Sequence, residues 1–481
     1  MKRLQRTTAP LLLALLSACS SMAPPYQRPA APVAAQFPQA PAAAASGAAA
    51  AAADLAWADF FAGDARLRRL LELALQNNRD LRVAMLNVEQ AREQLTVRQA
   101  DLWPTVGAGI GATRTATPGG GSTRVYSAGL QVSAYELDLF GRLRSLDDAA
   151  AAQVLASDEA RKAAQISLVA TVANAWLALL ADDAALQVTR QTLATREETR
   201  RLTALRLQYG AASRLDLRQV DSLLEAARIA LAQQQRQRLL DRNALELLLG
   251  QPLPAELLPG EGTATALPDL PEVPVGLPSE VLTRRPDVRQ AEALLIAANA
   301  NIGAARAALF PRITLTASAG SVSSELSGMF AGGSWGFGLA PALLQTIFDA
   351  GRNQANVRSA ERAREIAVAQ YEKSLQSAFR EVADALAGRS TLDEQRRAQA
   401  AQVDAESERL ALVELRQRSG AASTLELLDA QRSLFAARLA LVQVQAAQAQ
   451  NGVALYRALG GGWSEAAEPA PANPAGARML R

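Results

Sequence analysis

The stretch YGAASRLDLRQ, Tyr209–Gln219, has a near copy in SGAASTLELLDAQ, Ser419–Gln431. Each contains Gly-Ala-Ala-Ser: Gly210, Ala211, Ala212 and Ser213 in the first, Gly420, Ala421, Ala422 and Ser423 in the second. Gly210 and Gly420 can take the positive φ that ends a helix. Ser213 and Ser423 stand where the next helix wants its N-cap, and Asp216 and Glu426, three residues on, can close a capping box. Each stretch therefore predicts a tight turn between two helices, and the chain makes that turn twice, 210 positions apart.

The repetition runs far beyond the turn. Asn78–Pro104 parallels Arg285–Pro311 at an offset of 207, while AARIAL from Ala226 and AARLAL from Ala436, like Leu249-Gly250 and Leu459-Gly460, keep 210. The offset changes between Pro104 and Arg142, where loops absorb length. Two units are a duplication, since a solenoid needs more.

Both units share a plan. A first helix is expected at about Asp64–Asp101 and again at about Ser279–Leu309, stopped by Trp103-Pro104 and Phe310-Pro311. Two stretches of period two follow. Val106, Ala108, Ile110 and Ala112 alternate with glycines and Thr113, and Tyr126, Ala128, Leu130, Val132 and Ala134 alternate with small or polar residues. In the second unit Ile313, Leu315, Ala317 and Ala319, then Trp335, Phe337 and Leu339, do the same. Such hairpins, at 104–136 and 312–341, suit either membrane-spanning strands of a β-barrel or a half-buried hairpin of a soluble domain. Long helices come next, about Leu143–Gln208 without glycine or proline and about Asn353–Arg418 with Gly388 alone. At 1.5 Å per residue each is a rod of about 100 Å. After the turns at 210–213 and 420–423, helices return to Leu249-Gly250 and Leu459-Gly460.

The returning helices carry heptads: Leu217, Val220, Leu224, Ala227 and Leu231, and Leu427, Ala430, Leu434, Ala437 and Leu441. A second seam (Leu425, Leu428, Phe435, Leu439, Val442) calls for neighbours on both sides, as in a closed ring of helices. Four membrane strands cannot close a barrel, and open edges are not tolerated in lipid. If the hairpins span lipid, the chain must oligomerise. Three copies give a 12-stranded β-barrel continued by a barrel of α-helices.

Composition removes other classes. Among 481 residues there is no histidine and one cysteine, and 50 basic residues balance 47 acidic ones to a net charge of +3. Histidine-based catalysis, cysteine clusters for metal and a basic nucleic-acid face are all lacking. No enzyme activity, cofactor, metal site or nucleic-acid partner is expected.

The first residues, MKRLQRTTAPLLLALLSACSS, read as a secretory signal over 1–18. Leu16-Ser17-Ala18-Cys19 resembles a lipobox, which implies acylation of Cys19 as the mature N-terminus; an ordinary signal with an incidental cysteine is the alternative. A Pro- and Ala-rich stretch, about Met22–Ala53, reads as an extended tether. The domain plan is then 19–62 as lipidated tether and equatorial segment, 63–250 and 279–460 as the two repeats, 251–278 as a Pro-rich linker and 461–481 as a tail.

The lipobox, the duplicated strand–strand–long-helix unit, SGAASTLELLDAQRSLFAAR (Ser419–Arg438) and LYRALGGGW (Leu455–Trp463) resemble the TolC-like outer membrane factor family, in the lipoprotein branch that serves resistance–nodulation–division efflux pumps. The resemblance covers Cys19 to Trp463. It implies a homotrimer in outer-membrane lipid, reaching into the periplasm as an α-barrel. It further implies an adaptor protein docked on the two tip turns, an inner-membrane pump, and a passive role in exporting small molecules. By the same resemblance, Leu425 and Asp429 match an apolar ring and an aspartate ring that narrow the periplasmic end. The first repeat has Gln219 where Asp429 falls and keeps Leu215 where Leu425 falls, which makes the second hairpin the gating one. Asp429 as a solvated surface acid is the plainer reading of the residue alone. A duct for protein or oligosaccharide secretion and a trimeric coiled-coil adhesin are the competing functions.

Overall fold

The computed structural model describes residues 21–38, 55–258, 268, 270–271 and 279–461. The signal 1–18, Cys19, most of the linker and the tail from residue 462 lie outside the described residues. The main elements are α1 (Trp57–Phe60), α2 (Ala65–Asn77), α3 (Arg79–Ala100), β1 (Val106–Thr117), β2 (Gly121–Glu136), α4 (Arg142–Gln208), α5 (Arg214–Leu249), α6 (Pro286–Ala307), β3 (Arg312–Ser323), β4 (Trp335–Leu344), α7 (Arg352–Arg418) and α8 (Thr424–Ala458).

Two details correct the expected plan. The first helix is two: Asn78 ends α2 in extended geometry, its side-chain amide donates to Leu248 O at 2.9 Å, and its side-chain oxygen accepts from Leu81 N to start α3. The matching helix of the second repeat starts at Pro286 rather than Ser279, because proline without an N–H fits a first turn; residues Ser279–Arg284 form a 3₁₀ segment instead.

The chain divides into two compact units. One holds residues up to Ala31 with Met85–Glu159 and Arg289–Ser374; the other holds Pro32–Ala84, Ala160–Val288 and Leu375–Arg481.

In the first unit, four antiparallel strands form one sheet in the order β1-β2-β3-β4. Register puts Ala108, Leu130, Ala319 and Phe337 in one row across the sheet, so the four strands share one mainly apolar face and one face rich in glycine, serine and threonine. The alternation breaks once. Ala134 takes φ 52° at a bulge between Val132 and Tyr135, so Tyr135, not Ala134, stands opposite Leu315 on the apolar face. Where the strands end, Glu136 accepts from Arg142 Nε at 2.7 Å and pairs with Arg312 Nε at 2.6 Å.

Within the expected extended tether, residues 24–28 are held as a strap. Pro24 O accepts from Asn299 Nδ2 at 2.7 Å, and Arg28 forks onto Glu292, which also accepts from Tyr26 Oη at 2.9 Å. Gly303 leaves no room for a Cβ because Ala23 and Ser145 Oγ fill the space. A proline-rich segment has little conformational entropy to lose, so one bidentate pair and two single hydrogen bonds suffice to lay it down.

In the second unit the core is built around Trp176, buried on α4, whose Nε1 donates to Asp64 Oδ2 at 2.8 Å. The other oxygen of Asp64 caps α2 through Arg66 N and Leu67 N. Phe60 stacks on Tyr456 at 4.0 Å, and Tyr456 Oη donates to Leu55 O. An apolar window of α4 is long enough to cross a membrane by length and composition, but 61% of it is buried within the chain, so its leucines serve packing. The heptad residues Val220, Leu224, Ala227, Leu427, Ala430, Leu434 and Ala437 are buried. Helix α7 passes through Gly388 unbroken because Asn451 occupies the place of a Cβ there and donates to Ala385 O at 2.9 Å.

On the first hairpin, Asp182 of α4 meets Asp241 of α5, with Asp183 paired to Arg238 beside them and Gln237 Nε2 donating to Asp241. Burial, then the hydrogen bond and charge of Asp241, push the Asp182 carboxyl up from 3.8 to about 7. Between those values the native chain holds a proton that the unfolded chain has lost, so stability falls as pH rises through that window. The second repeat has Leu392 and Asn451 at the matching positions, so the architecture does not require the acids. Asp182→Asn should therefore stabilise the protein at pH 8 by on the order of 1 kcal/mol, discounted for partial exposure, and have little effect at pH 4. Thermal unfolding at the two pH values checks this; equal shifts at both would refute it.

Candidate functional site

Both tip turns are closed by local bonds. Gly210 (φ 73°) and Gly420 (φ 75°) are left-handed. Ala211 N donates to Arg206 O and Gly210 N to Leu207 O; Ala421 N donates to Arg416 O and Gly420 N to Gln417 O. These are two Schellman motifs. Ser213 Oγ then accepts from Asp216 N at 3.1 Å and Ser423 Oγ from Glu426 N at 3.2 Å, each within a full capping box. Ala211 and Ala421 are exposed, whereas Ala422 packs on the small cluster of Val413, Leu427 and Ala430.

Above the second turn, Asp429 is clamped. Its Oδ2 accepts from Arg409 Nη2 and its Oδ1 from Arg432 Nη2, both at 2.6 Å. The Arg409 guanidinium, with Arg432 beyond it, holds the Asp429 carboxyl below the usual carboxylate range. Arg409 also reaches Glu406, and Arg416 ties Glu426 to Ala421 O. The first repeat has Thr199, Gln219 and Ser222 at the positions of Arg409, Asp429 and Arg432. At those three positions the charges occur in the second repeat alone; in the first hairpin a neighbouring acid, Asp221, takes a two-arginine arrangement of its own, accepting from Arg200 Nε and Arg218 Nη1, both at 3.1 Å.

A groove of about 420 Å³ runs beside the clamp, lined by Leu223 and Ala226 of α5 and by Leu425, Leu428, Asp429 and Arg432 of α8, with Arg218 at its edge. Leu428 is buried, but Leu425 is 63% exposed, like Leu215 at 67%. The structure thus brings Leu425 and Asp429 to one groove, one helical turn apart. The sequence alone singles out neither Arg432 nor Arg409, which lies 20 residues before Asp429 across the turn. The available signal was that an acid facing solvent on a coiled-coil seam wants bases at i+3 and on the antiparallel neighbour.

Comparison with known proteins identifies the family of the chain. A family model described as outer membrane efflux protein matches residues 70–251 and 277–461. The toluene efflux pump outer membrane protein TtgC of Pseudomonas putida is 47% identical over 460 residues, covering 94% of each chain. Outer membrane protein OprJ of Pseudomonas aeruginosa is 45% identical over 463 residues, covering 95% of each. Among solved structures, the open state of the MtrE outer membrane channel of Neisseria gonorrhoeae superimposes with a TM-score of 0.81 at 39% identity, covering 92% of this chain and 98% of that one. CusC superimposes at 0.82 with 38% identity, covering 92% and 100%.

Proposed function

We propose that this chain, which belongs to the outer membrane efflux protein family, is the passive exit duct of a tripartite pump, carrying small molecules outward through the outer membrane. Relatives named for toluene, solvent and antibiotic efflux support small molecules as the class it carries. The observation that carries the reading is the sheet. Among the described residues it has four strands, a face that is apolar from the helical end up to the row of Ala112 and Tyr126, and two edges, β1 and β4, with no further strand beside them. Three chains joined edge to edge make twelve strands, an even number in the range of membrane barrels, and leave no backbone unpaired in lipid. A resistance–nodulation–division pump in the inner membrane supplies the energy, and a periplasmic adaptor docks on the exposed tips Gly210–Ser213 and Gly420–Ser423. Cys19, acylated, adds a lipid anchor.

At the periplasmic end Leu425 and Asp429 narrow the passage. The clamp tempers the expectation of a bare carboxylate ring, because each Asp429 already shares its charge with two arginines of its own chain. Closure then rests on holding α7 and α8 together as much as on repelling anions. The test is the purified full-length protein in detergent. It should run as a trimer and conduct ions in planar bilayers, and labelled palmitate should mark the wild type but not Cys19→Ser. A monomer that is soluble without detergent and silent in bilayers would overturn the duct.

A further inference from the structure

Two arginines stand on the apolar face of the sheet, where a lipid-facing strand should carry none. Alternation from Val106 through Ile110 brings Arg114 to that face, and alternation from Leu130 through Tyr126 brings Arg124 to it. They are direct cross-strand partners in the β1–β2 register. Like charges set opposite one another destabilise a sheet. Arg114 Nε donates to Ser122 Oγ at 3.2 Å, and among the described residues neither arginine has an ion pair with a carboxylate.

Their depth is legible from the rows. Going from the helical end towards the hairpin turns, the apolar face shows Leu130, Ala319 and Phe337, then Ala128, Ser321 and Trp335, then Tyr126 and Ser323. Tyr, Trp and Phe gather where a barrel meets the headgroup region. The arginine pair lies just beyond this girdle, at the turn end, which faces the outside. Charge on the lipid face is costly at the bilayer midplane but nearly free at that level. A guanidinium pair with no protein anion, beside an aromatic belt, matches a phosphate carried on a lipid headgroup.

We propose that Arg114 and Arg124 together form a binding site for the phosphate of an outer-leaflet glycolipid, one site per chain. The proposal rests on the reading of the apolar face as lipid-facing. A cross-strand arginine pair suits a phosphomonoester, whose several oxygens can accept from two guanidinium groups at once. Ser122 orients Arg114, and Tyr126 and Trp335 contact the sugar–acyl boundary beneath. Occupation by the phosphate would offset the repulsion across the strand pair and order the β1–β2 hairpin.

The test uses the purified full-length trimer in detergent and native mass spectrometry of its adducts with lipid A carrying two phosphates, with the same lipid dephosphorylated, and with inorganic phosphate as competitor. Wild type should hold the phosphorylated lipid at least about tenfold more tightly than the dephosphorylated one. Arg114→Gln with Arg124→Gln should lose that preference, and Arg114→Lys with Arg124→Lys should keep part of it. Equal binding of the two lipids to wild type would overturn the proposal without reference to any variant. So would a preference that survives the double glutamine change. Displacement of the lipid by inorganic phosphate at equal concentration would show a free-anion site and overturn it as well. Wild-type and variant channels should conduct alike in planar bilayers; conduction with no phosphate preference leaves the duct standing and removes only this site, whereas a chain that takes up neither detergent nor lipid removes both.

Discussion

Replacing Asp429 and Leu425 together by alanine should raise the single-channel conductance of the protein several-fold, because on the proposed gate it would remove both the clamp and the apolar ring beside it. In one chain the clamp is a set of exposed ion pairs, and each alone is weak. A symmetric trimer opens three tips at once, so a threefold change per chain compounds to roughly thirtyfold in the open-to-closed ratio. Asp429→Ala also leaves Arg409 and Arg432 facing each other across α7 and α8 with no acid between them. Salt provides the internal check. At 1 M ionic strength the screening length falls to about 3 Å, so wild-type closure should loosen with salt while the variant shows no further gain. Planar-bilayer recordings at both ionic strengths measure this; a variant with wild-type conductance and wild-type salt response would refute the gate.

The second large effect is expected in the sheet. Gly129 and Gly320 are register partners on β2 and β3. A Cβ on Gly129 would collide with Ala319 O and Gly320 Cα, and one on Gly320 with Ala128 O and Gly129 Cα. The strands approach so closely that neither position has room for a side chain. Gly129→Val should cost roughly 3 kcal/mol or more and prevent recovery of the trimer. Gly109→Ala is the contrast, since its nearest neighbour is the flexible end of the Gln131 side chain. Size exclusion in detergent reads both. A normal trimer yield from Gly129→Val would show that β2 and β3 can separate without loss, and would undo the account of the sheet given above.

What could be seen in the sequence was what local chemistry decides. The glycine stops, the serine caps and the two-residue alternation each depend on neighbours within a turn or a strand, and the repeat doubles every such signal. What could not be seen depends on groups distant in sequence. Ala134 adopts a positive φ because β2 must shift against β3, and an alanine gives no hint of that. Asn78 breaks a helix because Leu248 O, 170 residues later, needs a donor. Arg409 meets Asp429 only once the hairpin is folded. The strap from Pro24 to Arg28 escaped notice since proline-rich composition says what a segment does when nothing holds it, and Glu292 does hold it.

The self-contained tips have a kinetic consequence. With the Schellman and capping-box bonds all made within each turn, parting the helices breaks no backbone hydrogen bond there. The barrier to the proposed gating is then the exchange of solvated side-chain partners, an event of microseconds to milliseconds rather than of local melting. Amide protons at Gly210, Ala211, Gly420 and Ala421 should accordingly exchange at the same rate whether the passage is shut or open, and the activation enthalpy of opening should be small.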